Sequence, residues 1–334
     1  MALKVLRVGV LTIVQDLGRW GYQRFGVPVG GAMDEVSHRL ANWLVGNDET
    51  QATIEMTLVG PSFIVTRDTL LAVCGGDFEP HVDGESMPRA RPVLVRAGST
   101  LEFGPCRRGC RGYLALEGGV QVDPVMGSRS TYARAGFGGY EGRPLRRGDT
   151  LDTAAPDTTR YAELRRKLAV RSNKMVYPGW SATERVELLG PGPCAIRFVP
   201  GRHWPLFSEA VRESFSSSEY RLGAQSDRQG YRLSGPILPT SEPLEIVSEG
   251  VVYGTIQVPP DGGPIVLMAD RQTTGGYPRL GEVCSVDLPL LAQLPPGAQV
   301  RFQPVSLEQA QSLLLARERD LARTHEAILM RVRG

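Results

Sequence analysis

Short runs of β-branched and aromatic residues alternate along this chain with breaks rich in glycine and proline. Near the N-terminus, "KVLRVGVLTIV" reads as one strand, with a possible bulge at Gly9. "PSFIVTR", "TLLAVCG", "RPVLVRAG", "TLEFG" and "RGYLALEGG" read as further strands. After residue 185 the rhythm returns in "RVELLG", "AIRFVPG", "YRLSGP", "LEIVSEG", "GTIQVPPDGG", "PIVLMA", "EVCSVDLP" and "QVRFQPV". This punctuation, from 39 glycines and 25 prolines, predicts a mainly β protein of the barrel or sandwich kind.

Three stretches switch to helical spacing. "MDEVSHRLANWLVG" places Val36, Leu40, Trp43 and Leu44 on one face, with Gly46 as a left-handed stop. "RHWPLFSEAVRESF" predicts a shorter helix from about Leu206. The C-terminal helix opens with Ser306 and Gln309 at capping-box spacing. Residues 152–184 break the β pattern with a short basic helix and loop. The chain therefore divides into an N-terminal β subdomain (1–155), a connection (156–185), a C-terminal β subdomain (186–305) and a terminal helix (306–334). Both halves carry an Asp-Gly, a Pro-led apolar strand, then a Gly and a Phe-containing strand. In the second half, "DRQTTGGYPRLGEVCSVDLPLLAQL" is inserted into that pattern, and insertions on a rigid scaffold are where sites are built.

Composition narrows the function. The net charge of +2 argues against nucleic acid or an anionic membrane as partner. No apolar run reaches the roughly 18 residues of a spanning helix. The N-terminal sequence does not read as a signal peptide. Five cysteines without a secretion signal favour reduced thiols in the cytoplasm. Cys106 and Cys110 lack a second pair or nearby histidine to complete a zinc set, so no metal is expected.

Four segments could carry chemistry. In "ADRQTTGGYPRLG" a buried strand ends on Asp270, Arg271 and Gln272, followed by Thr274, Gly275 and Tyr277. This is either a binding site or a turn with a charged rim. After the first strand come Gln15, Asp16 and Arg19; Gly30 and Gly31 then lead through Met33 into a helix. Asp34 there is either the helix cap or part of an anion site. "GSRSTYARAGFGGYEGRPLRRGD" offers Arg129 and Ser130 on a glycine-rich loop, or simply an irregular hairpin. In the fourth segment Arg228 can pair with Glu249, Tyr231 lies nearby, and Gln257 interrupts an apolar strand where it must find a partner.

Taken together, "LTIVQDLGRWGYQRFGVPVGGAMD", "GSRSTYARAGFGGYEGRPLRRGD", "GYRLSGP" and "SEGVVYGTIQVPPDGGPIVLMADRQTTGGYPRLG" resemble the biotin-dependent carboxyltransferase-like family over nearly the whole chain. That family includes the carboxyltransferase part of urea amidolyase, the second allophanate hydrolase subunit, a kinase-inhibitor antagonist and the C subunits of bacterial 5-oxoprolinases. The resemblance implies two cyclophilin-like β-barrel subdomains. It also implies catalytic roles for Asp270, Arg271, Glu249 and Arg228. Substrate contacts would come from Gln15, Asp16, Arg19, Asp34, Arg129, Ser130, Tyr231, Gln257, Gln272, Thr274, Gly275 and Tyr277. The sequence departs from the family's Asn-Arg-Met-Gly-Tyr-Arg at Asp227 and Gln229.

A chain without a biotin-carrier or ATP-grasp segment is most similar to the 5-oxoprolinase branch of the family. That resemblance implies ATP-dependent opening of a lactam with partner subunits A and B, the latter resembling the kinase inhibitor. Asp270 or Glu249 would then be a general base, with Arg271 and Arg228 as oxyanion donors. Two alternatives stay open: the carboxyltransferase component of a biotin-dependent urea or amide carboxylase, and a non-enzymatic regulator.

Overall fold

A computed structural model of the protein describes residues 1–155, 158–184, 189–190, 192–240 and 246–333. The strands expected at "RVELLG" and "LEIVSEG" fall partly outside these residues. The chain forms two compact units. The first holds residues 1–18, 34–187 and 320–334; the second holds 19–33 and 188–319. The units therefore do not follow chain order: residues 19–33 leave the N-terminal part and join the barrel of the second.

The first unit contains two antiparallel sheets. One runs in the order Val120–Gln121, Thr150–Thr153, Leu3–Arg7, Ser62–Val65, Thr100–Glu102, His81–Val82, Glu85–Ser86. The other runs Met175–Val176, Val93–Val95, Thr69–Asp77, Arg108–Leu116, Thr53–Thr57, Leu11–Gln15. Leu3, Val5, Phe63 and Leu101 of the first sheet meet Val14, Ile54, Val73 and Leu114 of the second in one apolar core.

The expected single strand over 4–14 is two strands, in different sheets, interrupted at Gly9. The reason is steric. A Cβ on Gly9 would lie 1.8 Å from the Val59 carbonyl oxygen, so only glycine lets the chain pass there. The strand Thr53–Thr57 is absent from the sequence reading because Glu55 breaks its apolar pattern. Every residue of it is buried. Glu55 is satisfied from the neighbouring strand, where the Tyr113 hydroxyl donates to its Oε2 at 2.8 Å.

The helix Glu35–Leu44 packs on the Thr69–Asp77 and Arg108–Leu116 strands. Gly46, with φ +80°, ends it as expected. His38 on this helix is fully buried. Its Nδ1 meets the Thr53 hydroxyl at 2.9 Å and its Nε2 meets the Glu49 carbonyl at 3.0 Å. Burial lowers its pKa to about 4, so the ring is neutral near pH 7.

The second unit is a closed barrel. Its strands run Cys194–Pro200, Arg279–Val283, Thr255–Gln257, Ile265–Leu267, Gly230–Ser234, Glu219–Leu222 and Gln299–Pro304. Phe198, Phe215, Tyr220 and Phe302 pack ring against ring inside it. The strand expected over "EVCSVDLP" stops at Val283, and a short helix, Leu288–Ala292, follows. Asp287 causes the turn: its carboxylate accepts from the Arg197 backbone N–H at 2.8 Å and from Nε and Nη2 of the same arginine. Pro289 then suits the first helical turn. The C-terminal helix Leu307–Arg333 starts in the expected capping box, with Ser306 and Gln309 exchanging hydrogen bonds. Among the described residues no helix is long and apolar enough to cross a membrane.

Candidate functional site

In the first unit, the Leu11–Gln15 strand delivers Asp16 to a nest of donors. Its Oδ1 accepts from Ser128 Oγ at 2.6 Å, Ser130 Oγ at 2.5 Å and the Gly18 N–H at 2.8 Å. Its Oδ2 accepts from the Arg129 N–H at 2.5 Å. The Ser130 hydroxyl in turn accepts from the Asp16 N–H. The Gln15 amide donates to the Thr131 carbonyl at 3.0 Å. These contacts clamp the "SRST" loop to the first strand. The carboxylate's lone pairs are committed, which makes Asp16 a fastener of that loop. Arg129 Nε donates to the Val122 carbonyl. Asp34 caps the helix, its Oδ1 accepting from the Ser37 N–H at 3.0 Å and its Oδ2 from the Ser37 hydroxyl at 2.7 Å. The cap reading of Asp34 is the one the geometry shows.

The remaining sequence-predicted residues lie in the second unit. There the expected Arg228–Glu249 pair does not form. Arg228 instead grips Asp270 with two parallel bonds, Nε to Oδ2 at 2.9 Å and Nη2 to Oδ1 at 2.8 Å. Its Nη2 also donates to the Gly31 carbonyl at 2.7 Å, and the Tyr253 hydroxyl donates to the Met33 carbonyl at 2.8 Å. These bonds moor the 19–33 segment to the barrel, where Arg19 is buried and its N–H donates to the Val29 carbonyl. Gly30 and Gly31 both have positive φ, which lets the chain turn there.

Glu249 pairs with Arg202 at 2.9 Å and Arg279 at 3.4 Å. His203 Nδ1 lies 3.8 Å from it but accepts the Arg279 N–H, and burial lowers its pKa, so that contact is not an ion pair. Asp270 and Glu249 are thus both held by arginines. The ion pairs oppose the general-base role expected of either, because a base must have a lone pair to spend.

Arg271 differs from Arg228. It is 6% exposed and no carboxylate pairs with it among the described residues. Its Nη1 reaches the Met268 and Ala269 carbonyls only at 3.4 Å, its Nε has no hydrogen-bond partner, and its guanidinium lies 5.9 Å from the Tyr253 ring centroid. Burial pulls its pKa down from the usual arginine value. A desolvated cation with unspent donors is a receptor for negative charge. Tyr253, which the sequence reading did not single out, supports it.

Beside Arg271 in the chain, Gln272 faces a pocket of about 370 Å³ on the outside of the barrel. Three adjacent strands make its floor. Tyr231 pairs with Val266, and both point into the barrel core, so Gly230, Arg232, Ile265 and Leu267 point outward. Gln257, opposite Ile265, shares that outer face. Loop residues Gln225, Asp227, Gln229, Gln272 and Tyr277 wall it. Tyr231, expected to touch substrate, is a core residue whose hydroxyl faces the Ala292 carbonyl at 3.5 Å.

Gln257 is 2% exposed. Its Oε1 accepts from Gln272 Nε2 at 3.4 Å, which leaves its own Nε2 without a partner. Gly275 sits against this amide: a Cβ there would come within 2.4 Å of Nε2. Thr274 and Gly275 pair with Gly250 and Glu249 in a two-stranded ribbon, with Thr274 exposed.

A mainly β protein of two units, with an arginine-bearing strand end and an amide-lined pocket on its barrel, defines a small-molecule site class rather than a polymer-binding one. Residues 25–304 match the family of the carboxyltransferase domain, subdomain A and B, and the chain belongs to that family. It is 37% identical over 308 residues to the C subunit of 5-oxoprolinase from Escherichia coli (strain K12), spanning 92% of this chain and 93% of that protein. It is 32% identical over 326 residues to urea amidolyase of Saccharomyces cerevisiae, spanning 93% of this chain but 17% of that protein. The crystal structure of Kluyveromyces lactis urea carboxylase is similar with a TM-score of 0.86 at 31% identity, over 97% of this chain and 29% of that one.

Proposed function

We propose that this chain is the C subunit of an ATP-dependent 5-oxoprolinase, which opens the 5-oxoproline lactam to glutamate together with subunits A and B. The single observation that carries the reading to this chain's own residues is the unspent Gln257 amide in a small pocket. Its Nε2 is a buried donor placed for a carbonyl oxygen, and a buried donor without a partner costs about 1–3 kcal/mol until a ligand supplies one. The full-length match to proteins that carry this name supports the same reading.

The chemistry follows from amide resonance. Transfer of the ATP γ-phosphoryl group to the lactam oxygen, with ADP leaving, makes the ring carbon electrophilic. Water then attacks that carbon, the C–N bond breaks as nitrogen takes a proton, and a second water releases phosphate. Arg271 and Gln257 would stabilise negative charge on the oxygen as it develops. ATP belongs to the complex in this reading. No acid–base role is assigned to Asp270 or Glu249. The five cysteines, none in a disulfide, and the absence of a membrane-crossing helix among the described residues support a cytoplasmic setting.

A second reading is favoured by the family description and by the likeness to urea carboxylase: a carboxyltransferase component working with carboxybiotin. Mixing the purified chain with subunits A and B, ATP and 5-oxoproline separates the two. Glutamate and ADP formed only with all three chains support the first reading. A complex without turnover, and with a biotinylated protein bound, overturns it in favour of the second.

A further inference from the structure

The outer-face pocket holds one residue that neither the motifs nor the family resemblance singled out as a ligand contact. Arg232 lies on the Gly230–Ser234 strand, opposite Ile265, and lines the pocket with Gln257. It is exposed, and none of the carboxylates among the described residues forms an ion pair with it. Asp227, also in the lining, is turned to its own loop, where its Oδ1 accepts the Gln229 N–H at 2.7 Å and the Gly230 N–H at 3.2 Å. The pocket therefore presents two unspent donor groups of different kinds. One is neutral and buried, the Gln257 amide; the other is cationic and at the rim, Arg232. Between them the floor is Ile265, Leu267 and the bare backbone of Gly230. Gln225, Gln229 and Gln272 add primary amides to the lining, each able both to donate and to accept.

We propose that Arg232 is the specificity-determining residue of this pocket. It takes the carboxylate of a small amide or lactam whose carbonyl oxygen is bound by Gln257 Nε2. The ligand class is a carboxylate-bearing amide, in preference to a neutral one such as urea. This inference rests on the oxoprolinase reading for the identity of that ligand, and on the pocket alone for its charge. The argument is one of complementarity. A guanidinium matches a carboxylate with two parallel hydrogen bonds. The apolar floor suits the methylene edge of a small ring. A neutral amide would satisfy Gln257 and leave Arg232 unused.

The test uses the full chain and two probes, 5-oxoproline and 2-pyrrolidinone, which differ by the carboxylate. Saturation-transfer NMR titrations give the affinity of each for wild type, Arg232→Gln and Gln257→Leu, with thermal melts to show that each variant is folded. The expected result is that wild type prefers 5-oxoproline. Arg232→Gln loses about tenfold or more for 5-oxoproline and nothing for 2-pyrrolidinone, the worth of a charge-assisted hydrogen bond. Gln257→Leu weakens both. Equal affinity of wild type for the two probes, an unchanged preference in Arg232→Gln, or no binding of either probe overturns the proposal. Turnover by the three-chain complex with no charge preference would sink this inference and spare the reading beneath it. A charge preference without turnover would do the reverse.

Discussion

Removing the Asp270 carboxylate distinguishes a structural ion pair from a catalytic base. Arg228 is 6% exposed, and Asp270 accepts two parallel hydrogen bonds from its guanidinium, beside the one taken by the Gly31 carbonyl. Asp270→Ala leaves that cation in the barrel wall without its countercharge. Breaking a buried pair from one side costs about 3–5 kcal/mol, whereas replacing both partners by apolar groups is often near neutral. Arg228→Met with Asp270→Ala should therefore be more stable than Asp270→Ala alone, by about 2 kcal/mol or more. The assay is urea unfolding of the purified chain. Tryptophan emission is a suitable probe, because Trp204 packs 5.5 Å from the Phe198 ring in the barrel and reports on that unit. The reasoning is refuted if Asp270→Ala unfolds within about 1 kcal/mol of wild type. A loss of turnover in Asp270→Asn without any loss of stability would restore the base role.

Three further outcomes are expected. Asp16→Ala leaves the donors of Ser128, Arg129, Ser130 and Gly18 without their acceptor, so stability to unfolding should fall by about 2–4 kcal/mol; hydrogen exchange should rise in residues 127–131. His38 has a folded pKa of about 4 against 6.5 when unfolded, so the unfolded chain binds the extra proton first. Stability should be fully present above pH 6.5 and fall by up to about 3 kcal/mol as pH drops to 4, a slope that His38→Gln should flatten in melts taken across that range. Gly275→Ala would push a methyl into the Gln257 amide, so ligand affinity at the pocket should drop about tenfold with little change in melting temperature, as read by the same NMR titration.

The sequence carried the architecture well, because turn residues and short apolar runs are local signals. Its failures have physical causes. The break at Gly9 depends on the approach of Val59, and the Thr53–Thr57 strand depends on Tyr113 to satisfy Glu55; neither partner is near in sequence. Arg228 was matched to the wrong carboxylate for the same reason, since nothing local ranks Asp270 above Glu249. The motif residues were legible as a set, and the structure divides them by task. Asp16, Asp34 and Tyr231 hold the fold, Gln257 and Gln272 line a pocket, and Arg271 keeps donors unspent. Arg232 was invisible because an exposed arginine on a strand reads as ordinary surface. Only the register that turns Tyr231 inward shows it beside Gln257.

The measurement that bears most directly on the central claim is the kcat/KM for 5-oxoproline of the assembled three-chain complex, with wild-type chain and with Gln257→Leu. The account predicts glutamate formation by the wild-type assembly and a loss of about tenfold to a hundredfold in the variant, with complex formation intact. Equal kcat/KM for the two assemblies would contradict it, and would place the lactam somewhere other than this pocket.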